Sequence, residues 1–227
     1  MAYVPSSEDE RIYLQNYDPD KYPKPAVAAD TALFAIDGKA VKILLIRRGN
    51  YPYKNCWALP GGFVDMDEDT LRSARRELEE ETGLRGIYLE QAFTWSEPGR
   101  DPRGRVITVS YIALADFGKL SPRAGDDAAD AQWFAIEDYR STVAKGKTHI
   151  SYTLRGPEKL LPAVSFPVGR MQEIARTRSG GLAFDHAESV TYSVELLKHR
   201  VKHGQFAQLA LGDNALAAYA REMILRI

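Results

Sequence analysis

The segment from Leu59 to Leu84 constrains this chain more than any other. Two adjacent glycines, Gly61 and Gly62, precede a run from Asp65 to Glu81 that holds eight acids against three bases. The surplus is local, because the whole chain carries a formal net charge of -1. A helix is predicted from about Asp69 to Thr82, with Gly83 as its C-terminal stop. At about 100° per residue, Leu71, Ala74 and Leu78 share one stripe that must face a core. Glu77 and Glu81 stack beside that stripe, and Glu80 lies just beyond them. Like charges at this spacing repel and destabilise an isolated helix. A hard divalent cation is the simplest compensation, since Mg²⁺ takes oxygen ligands and shares its shell with substrate phosphates. Arg76, four residues before Glu80, can pair with it and fix its rotamer. A Glu79–Glu81 run alone is an ordinary solvated face. The loop Leu59-Pro60-Gly61-Gly62 changes that, because residues without side chains permit positive φ and can turn a carbonyl oxygen towards a cation.

The rest of the chain supplies a scaffold. Residues 27–36 and 41–48 read as strands around an Asp37-Gly38 turn, and 87–95, 105–115 and Gln132-Trp133-Phe134 read as further strands. Short strands are expected at 148–155 and 163–168. A helix is expected over Phe184 to Lys202, with Asp185 as N-cap and Glu188 at capping-box spacing, and a second over about Asn214 to Leu225. Strands joined by hairpins and mixed with helices indicate an α+β sandwich rather than a doubly wound parallel sheet. In 227 residues a hydrophobic content of 44% suffices for a core. A near-neutral charge gives no global field for nucleic acid. No apolar run approaches the roughly 20 residues that span a bilayer. The N-terminus lacks a secretion-signal pattern, and the single cysteine, Cys56, fits a reducing compartment. A cytoplasmic protein without a membrane partner is the expectation.

The acidic segment resembles the Nudix family signature: Gly, five residues, Glu, seven residues, Arg-Glu, an aliphatic, any residue, Glu-Glu, any residue, Gly, an aliphatic. Gly62, Glu68, Arg76-Glu77, Leu78, Glu80-Glu81, Gly83 and Leu84 match it without departure. The resemblance implies a Nudix α/β/α sandwich with a mixed sheet over residues 25–140. An N-terminal extension (1–24), a β-rich insertion (141–183) and C-terminal helices (184–227) would surround it. It also implies that Glu77, Glu80 and Glu81 bind Mg²⁺, or alternatively Mn²⁺, with the Gly61 carbonyl completing one shell. Glu77, Glu80 and Arg76 are then the catalytic group. An acid outside the signature can act as base: Asp127 is the candidate taken, with Asp126, Asp130 and Glu97 beside it as loop acids. The implied chemistry is metal-assisted cleavage of a diphosphate in a nucleoside diphosphate derivative.

Two further stretches, Trp95 to Arg105 and Phe184-Asp185-His186-Ala187-Glu188, resemble Nudix proteins that act on ADP-ribose, giving AMP and ribose 5-phosphate. Arg100 and Arg103, with Arg105, are placed to meet phosphates or to be surface arginines of a turn. Arg47 and Arg48 end a strand before the metal loop; one can reach phosphate while the other is solvated. Trp95, Phe93 or Tyr111 can stack on adenine or, as strand aromatics more often do, pack in the core. His186 is expected to pack or hydrogen-bond locally. NADH, ADP-sugars, dinucleoside polyphosphates and dNTPs remain alternative substrates. Some similar proteins are ADP-ribose-sensing transcription regulators of NAD metabolism carrying a winged helix. The intact signature, and the short stretch Gly204 to Ile227 after the helix, argue against that. A homodimer is implied by the resemblance alone.

Overall fold

The computed structural model describes residues 3–120, 122–123 and 128–227. Asp126 and Asp127 lie outside the described residues. The elements run α1 (Glu8–Asn16), β1 (Ala26–Asp37), β2 (Ala40–Arg48), β3 (Trp57–Ala58), β4 (Gly61–Phe63), α2 (Thr70–Thr82), β5 (Leu89–Trp95) and β6 (Val106–Asp116). They continue with β7 (Ala128–Ala144), β8 (Lys147–Arg155), β9 (Lys159–Leu160), β10 (Ala163–Pro167), β11 (Ala175–Arg178), α3 (His186–His203), α4 (Phe206–Leu211) and α5 (Asn214–Arg226).

One mixed sheet carries the fold. Its order is β11-β10-β8-β7-β2-β1-β6-β5, with β3, β4 and β9 attached to β2, β1 and β8. The β1–β6 pair is parallel, whereas β1–β2 and β2–β7 are antiparallel. Side chains alternate across a strand, and β1 shows the consequence. Ala29 and Leu33 join Leu44, Ala74 and Leu78 beneath α2. Ala32, Phe34 and Ile36 face the other way, into a core shared with Val190, Val194 and Leu197 of α3 and with Ala220 and Ile224 of α5. The expected three-layer sandwich is therefore present, with the acidic helix on one face and the C-terminal helices on the other.

The structure departs from the sequence expectations in three places. β7 extends far beyond Gln132-Trp133-Phe134, because a register shift between Glu137 and Arg140 lets a polar stretch stay in the ladder. It crosses residue 140 unbroken, so 141–183 continues the same sheet through β8, β10 and β11. At the start of α3, Asp185 occupies the N-cap position but its side chain makes no cap bond. Its carboxylate is taken by Arg100 instead, and Glu188 accepts the backbone N–H of Arg176 rather than closing a capping box. The short helix α4 and the exposed helix α1, which buries no residue, were not anticipated. No helix among the described residues is long and apolar enough to cross a membrane.

Leu197 is fully buried between α3 and the sheet. Leu197→Ala should lower the free energy of unfolding by about 2–5 kcal/mol, read from denaturant titration. A loss well below that would show that α3 is not anchored by this core.

Candidate active site

The acidic helix is built as its sequence requires. Asp69 caps the N-terminus through Arg72 N–H, and Gly83 ends the helix at φ 72° with its N–H on the Glu79 carbonyl. The left-handed conformation there is the reason for glycine. Leu78 and Ala74 point into the core, which leaves Glu77, Glu80 and Glu81 facing a cavity of about 750 Å³. That volume lies within the range of small-molecule sites.

Arg76 is the hub of the acidic wall. Its guanidinium donates to Glu68 at 2.6 Å, to Glu77 and Glu80 at 2.8 Å each, and to the Phe63 carbonyl at 3.0 Å. These bonds raise the Arg76 pKa further, and the Arg76 bond holds Glu68 down at about 2. Glu81 has no such partner. It is buried, accepts the Gly61 N–H at 2.8 Å, and burial pushes its pKa up to about 8. Asp30, from β1, is also buried and is pushed to about 7, while burial raises Glu77 as well. A cation near Glu81 would favour the ionised carboxylate and so oppose the effect of burial. The glycines permit the packing: a Cβ on Gly61 would overlap the Asp30 carboxylate and the Ala29 carbonyl, and one on Gly62 would overlap the Glu77 carboxylate.

The opposite wall is basic and aromatic. Arg100 is almost fully buried, paired with both Asp185 oxygens at 2.6 and 2.7 Å and bonded to Thr108 at 2.6 Å. Arg103 is fixed by buried Asp101 at 2.7 Å and lies 4.8 Å from the Phe63 ring and 5.5 Å from the Phe184 ring. Burial opposes ionisation of Asp101, but hydrogen bonds from Arg103 hold its pKa below the ordinary value. Arg48 stands 4.9 Å over Phe184, whose backbone takes φ 47°. That conformation is uncommon for an aromatic residue. His186 completes this side. It is buried, accepts the Leu59 N–H on Nδ1 at 2.9 Å, and desolvation lowers its pKa to about 4.

Several sequence candidates fall elsewhere. Arg47 is outside the cavity lining and turns to Glu158 at 3.5 Å and the Asn55 carbonyl at 3.2 Å; its neighbour Arg48 lines the cavity instead. Trp95 is buried against Phe93 and Tyr192 with its N–H on Ser110, and Tyr111 bonds Thr70 beneath α2, so neither faces the cavity. The cavity aromatics are Phe63 and Phe184. Asp130 is engaged by Ala131 N–H and the Gln132 side chain, and neither it nor Glu97 lines the cavity. Asp30 was missed, although a lone acid inside the apolar strand VAADTALFAI was its signal. No three His, Cys, Asp or Glu side chains among the described residues converge as a ready-made metal cage. Arg76 donates to both Glu77 and Glu80. The oxygen-only donors Glu77, Glu80 and Glu81, beside a buried surplus of carboxylate, still suit a hard divalent cation.

A carboxylate-rich wall faces an arginine-rich wall across a cavity of small-molecule size. The comparisons make the class specific: the NUDIX domain family model matches residues 24–154, and the chain belongs to that family. The ADP-ribose pyrophosphatase of Methanocaldococcus jannaschii is 44% identical over 117 residues, 52% of this chain and 66% of that protein. The ADPR responsive transcriptional repressor NtrR of Acinetobacter baylyi is 41% identical over 139 residues, 60% of this chain and 55% of that protein. The chain thus spans between about half and two thirds of the length of these curated relatives. A crystal structure of a MutT/nudix family protein from Enterococcus faecalis superposes with a TM-score of 0.74 at 30% identity, covering 99% of this chain and 82% of that one.

The raised carboxyls set the pH response of the metal-free protein. Folded Asp30 and Glu81 keep protons to about pH 7 and 8, whereas the unfolded chain gives them up near the ordinary carboxyl values of 3.8 and 4.5. Their folded pKa values are raised, so their stabilisation is lost as pH rises through the folded values. His186 has the opposite sign, but its window, from about 6.5 down to 4, lies lower. In chelator, stability should therefore fall between about pH 6.5 and 8, and Glu81→Gln should flatten the fall. A profile rising over that range would contradict the burial described.

Proposed function

We propose that this protein hydrolyses the diphosphate bond of a nucleoside diphosphate derivative, and that the substrate is ADP-ribose, cleaved to AMP and ribose 5-phosphate. The observation that carries the proposal is the cavity itself, where Glu77, Glu80 and Glu81 face Arg48, Arg100 and Arg103. The named activity of the M. jannaschii relative supports the substrate. Glu77, Glu80 and Glu81, with the Gly61 carbonyl, would hold Mg²⁺ or Mn²⁺. When bound, the metal neutralises diphosphate charge and lowers the pKa of the attacking water.

The chain's own groups supply the rest. Arg76 fixes the rotamers of Glu77 and Glu80, and these carboxylates border the space where water attacks. One of them, or Asp127, accepts the proton of that water. Arg48 and Arg103 meet phosphate oxygens, while Arg100, already neutralised by Asp185, holds the wall in place. Phe63 and Phe184 offer flat faces to a base. The protein is proposed to act in the cytoplasm as a homodimer.

The name of the A. baylyi relative favours a second reading, a regulator that binds ADP-ribose and DNA. Incubation with Mg²⁺ and ADP-ribose, NADH, ADP-sugars, dinucleoside polyphosphates and dNTPs separates the two. Turnover of ADP-ribose above the others is expected; no turnover, with salt-sensitive binding of duplex DNA, would establish the regulator instead. Glu81→Gln should remove most metal-dependent turnover while the fold persists, and retained activity would refute the metal assignment. Gly62→Ala should displace Glu77 and cost about a hundredfold in kcat, the scale of an ångström misplacement. Gly83→Ala, with open space around its Cβ, should cost stability alone.

A further inference from the structure

We infer that His186 is a positioning residue for the loop Leu59–Gly62, holding it where the divalent cation of the proposed function is bound. The inference rests on that function for its cation, but its geometry stands independently.

The lead-in to α3 runs alongside β3 as a short parallel pairing at Trp57 and Leu182. Trp57 N–H donates to the Gly181 carbonyl at 3.2 Å, and Ala183 N–H donates to the Trp57 carbonyl at 2.8 Å. A parallel ladder would next bond Leu59 N–H to the Ala183 carbonyl. The chain instead turns into α3, where His186 N–H takes that carbonyl at 3.0 Å, and the ladder stops. The imidazole fills the gap: Leu59 N–H donates to Nδ1 at 2.9 Å. Leu59 is buried, so without this acceptor its amide would be orphaned.

The same bond fixes the tautomer. Nδ1 accepts, so the ring proton of the neutral imidazole sits on Nε2, which lies 3.5 Å from Asp30 Oδ2. With one nitrogen occupied and the other protonated, the ring has no lone pair free to take a proton from water. Its contribution is position. The loop is held residue by residue: Leu59 N–H by α3, the Pro60 carbonyl by Thr31 N–H at 2.8 Å, and Gly61 N–H by Glu81 at 2.8 Å. Gly62 then pairs with Ala29 of β1. His186 is the first of these holds and the one supplied from beyond the family-matched segment 24–154.

The test uses the full chain with His186→Leu, which removes the acceptor, and His186→Asn, whose amide oxygen can stand near Nδ1. Hydrogen exchange at the Leu59 amide reads the hold on the loop, Mn²⁺ titration reads the cation site, and ADP-ribose kinetics separate kcat from KM. His186→Leu should speed Leu59 exchange and weaken Mn²⁺ binding by about 10- to 100-fold, the usual cost of losing an outer-shell partner. It should lower kcat more than it raises KM, and His186→Asn should recover most of each loss. Unchanged exchange and Mn²⁺ affinity in His186→Leu, or an Asn variant no better than Leu, would overturn the inference. Mn²⁺ binding that responds as described, without ADP-ribose turnover, would retire the proposed substrate and leave His186 in this role. A parent protein that binds no Mn²⁺ would overturn both.

Discussion

One guanidinium makes the acidic wall possible. Arg76 stands among Glu68, Glu77 and Glu80, and bonds the Phe63 carbonyl of the loop that leads into the helix. Without it, neighbouring carboxylates on one helical face would repel, and the loop would lose one of its ties to the helix that follows, leaving the Gly61–Glu81 bond. Because each bond is charge-assisted and the group is planar, Arg76 also fixes directions, which a lysine would not. It leaves Glu81 unmatched. That residue is buried against Gly61 and shares its surroundings with Asp30, so two carboxyls that burial makes hard to ionise lie together at the rear of the cavity.

The two walls have different energetic characters. Arg100 is buried, bidentate with Asp185, and serves as a fixed strut; a buried pair of this kind is valued for the geometry it enforces more than for net stability. Arg48 and Arg103 border the open space and rest on aromatic faces. The cavity therefore joins a carboxylate-lined surface to a surface lined by arginines and aromatic rings.

Much of this was legible in the sequence. The β1–β2 hairpin followed from alternation around Asp37-Gly38, and α2 with its cap and stop followed from period and punctuation. Glu77, Glu80 and Glu81 share the cavity side of α2 because helical geometry leaves little choice once Leu78 is inside. Arg47 and Arg48 show where reading stops. Consecutive strand residues point to opposite faces, and only the actual register decides which meets the cavity. Trp95 looked like a stacking surface, yet its N–H finds Ser110 and its ring the core, while Phe184 reaches the cavity through a positive φ that no pattern announces. The reading of β7 stopped at Phe134 because the strand pattern weakens from Ile136 onward; the register shift that keeps the polar stretch in the sheet depends on the partner strand. Asp185 was read as a cap from its local position, and a residue 85 positions away claimed it.

The matched family segment ends at Leu154, yet the cavity does not. Phe184 and His186 line it, and Asp185 neutralises Arg100, all at the entry to α3. The family-matched segment and the tail after it are therefore not interchangeable parts. A chimera joining residues 24–154 to a foreign tail would keep its glutamates but strand a buried guanidinium and leave the Leu59 amide without an acceptor. One cavity is thus assembled from two parts of the chain far apart in sequence.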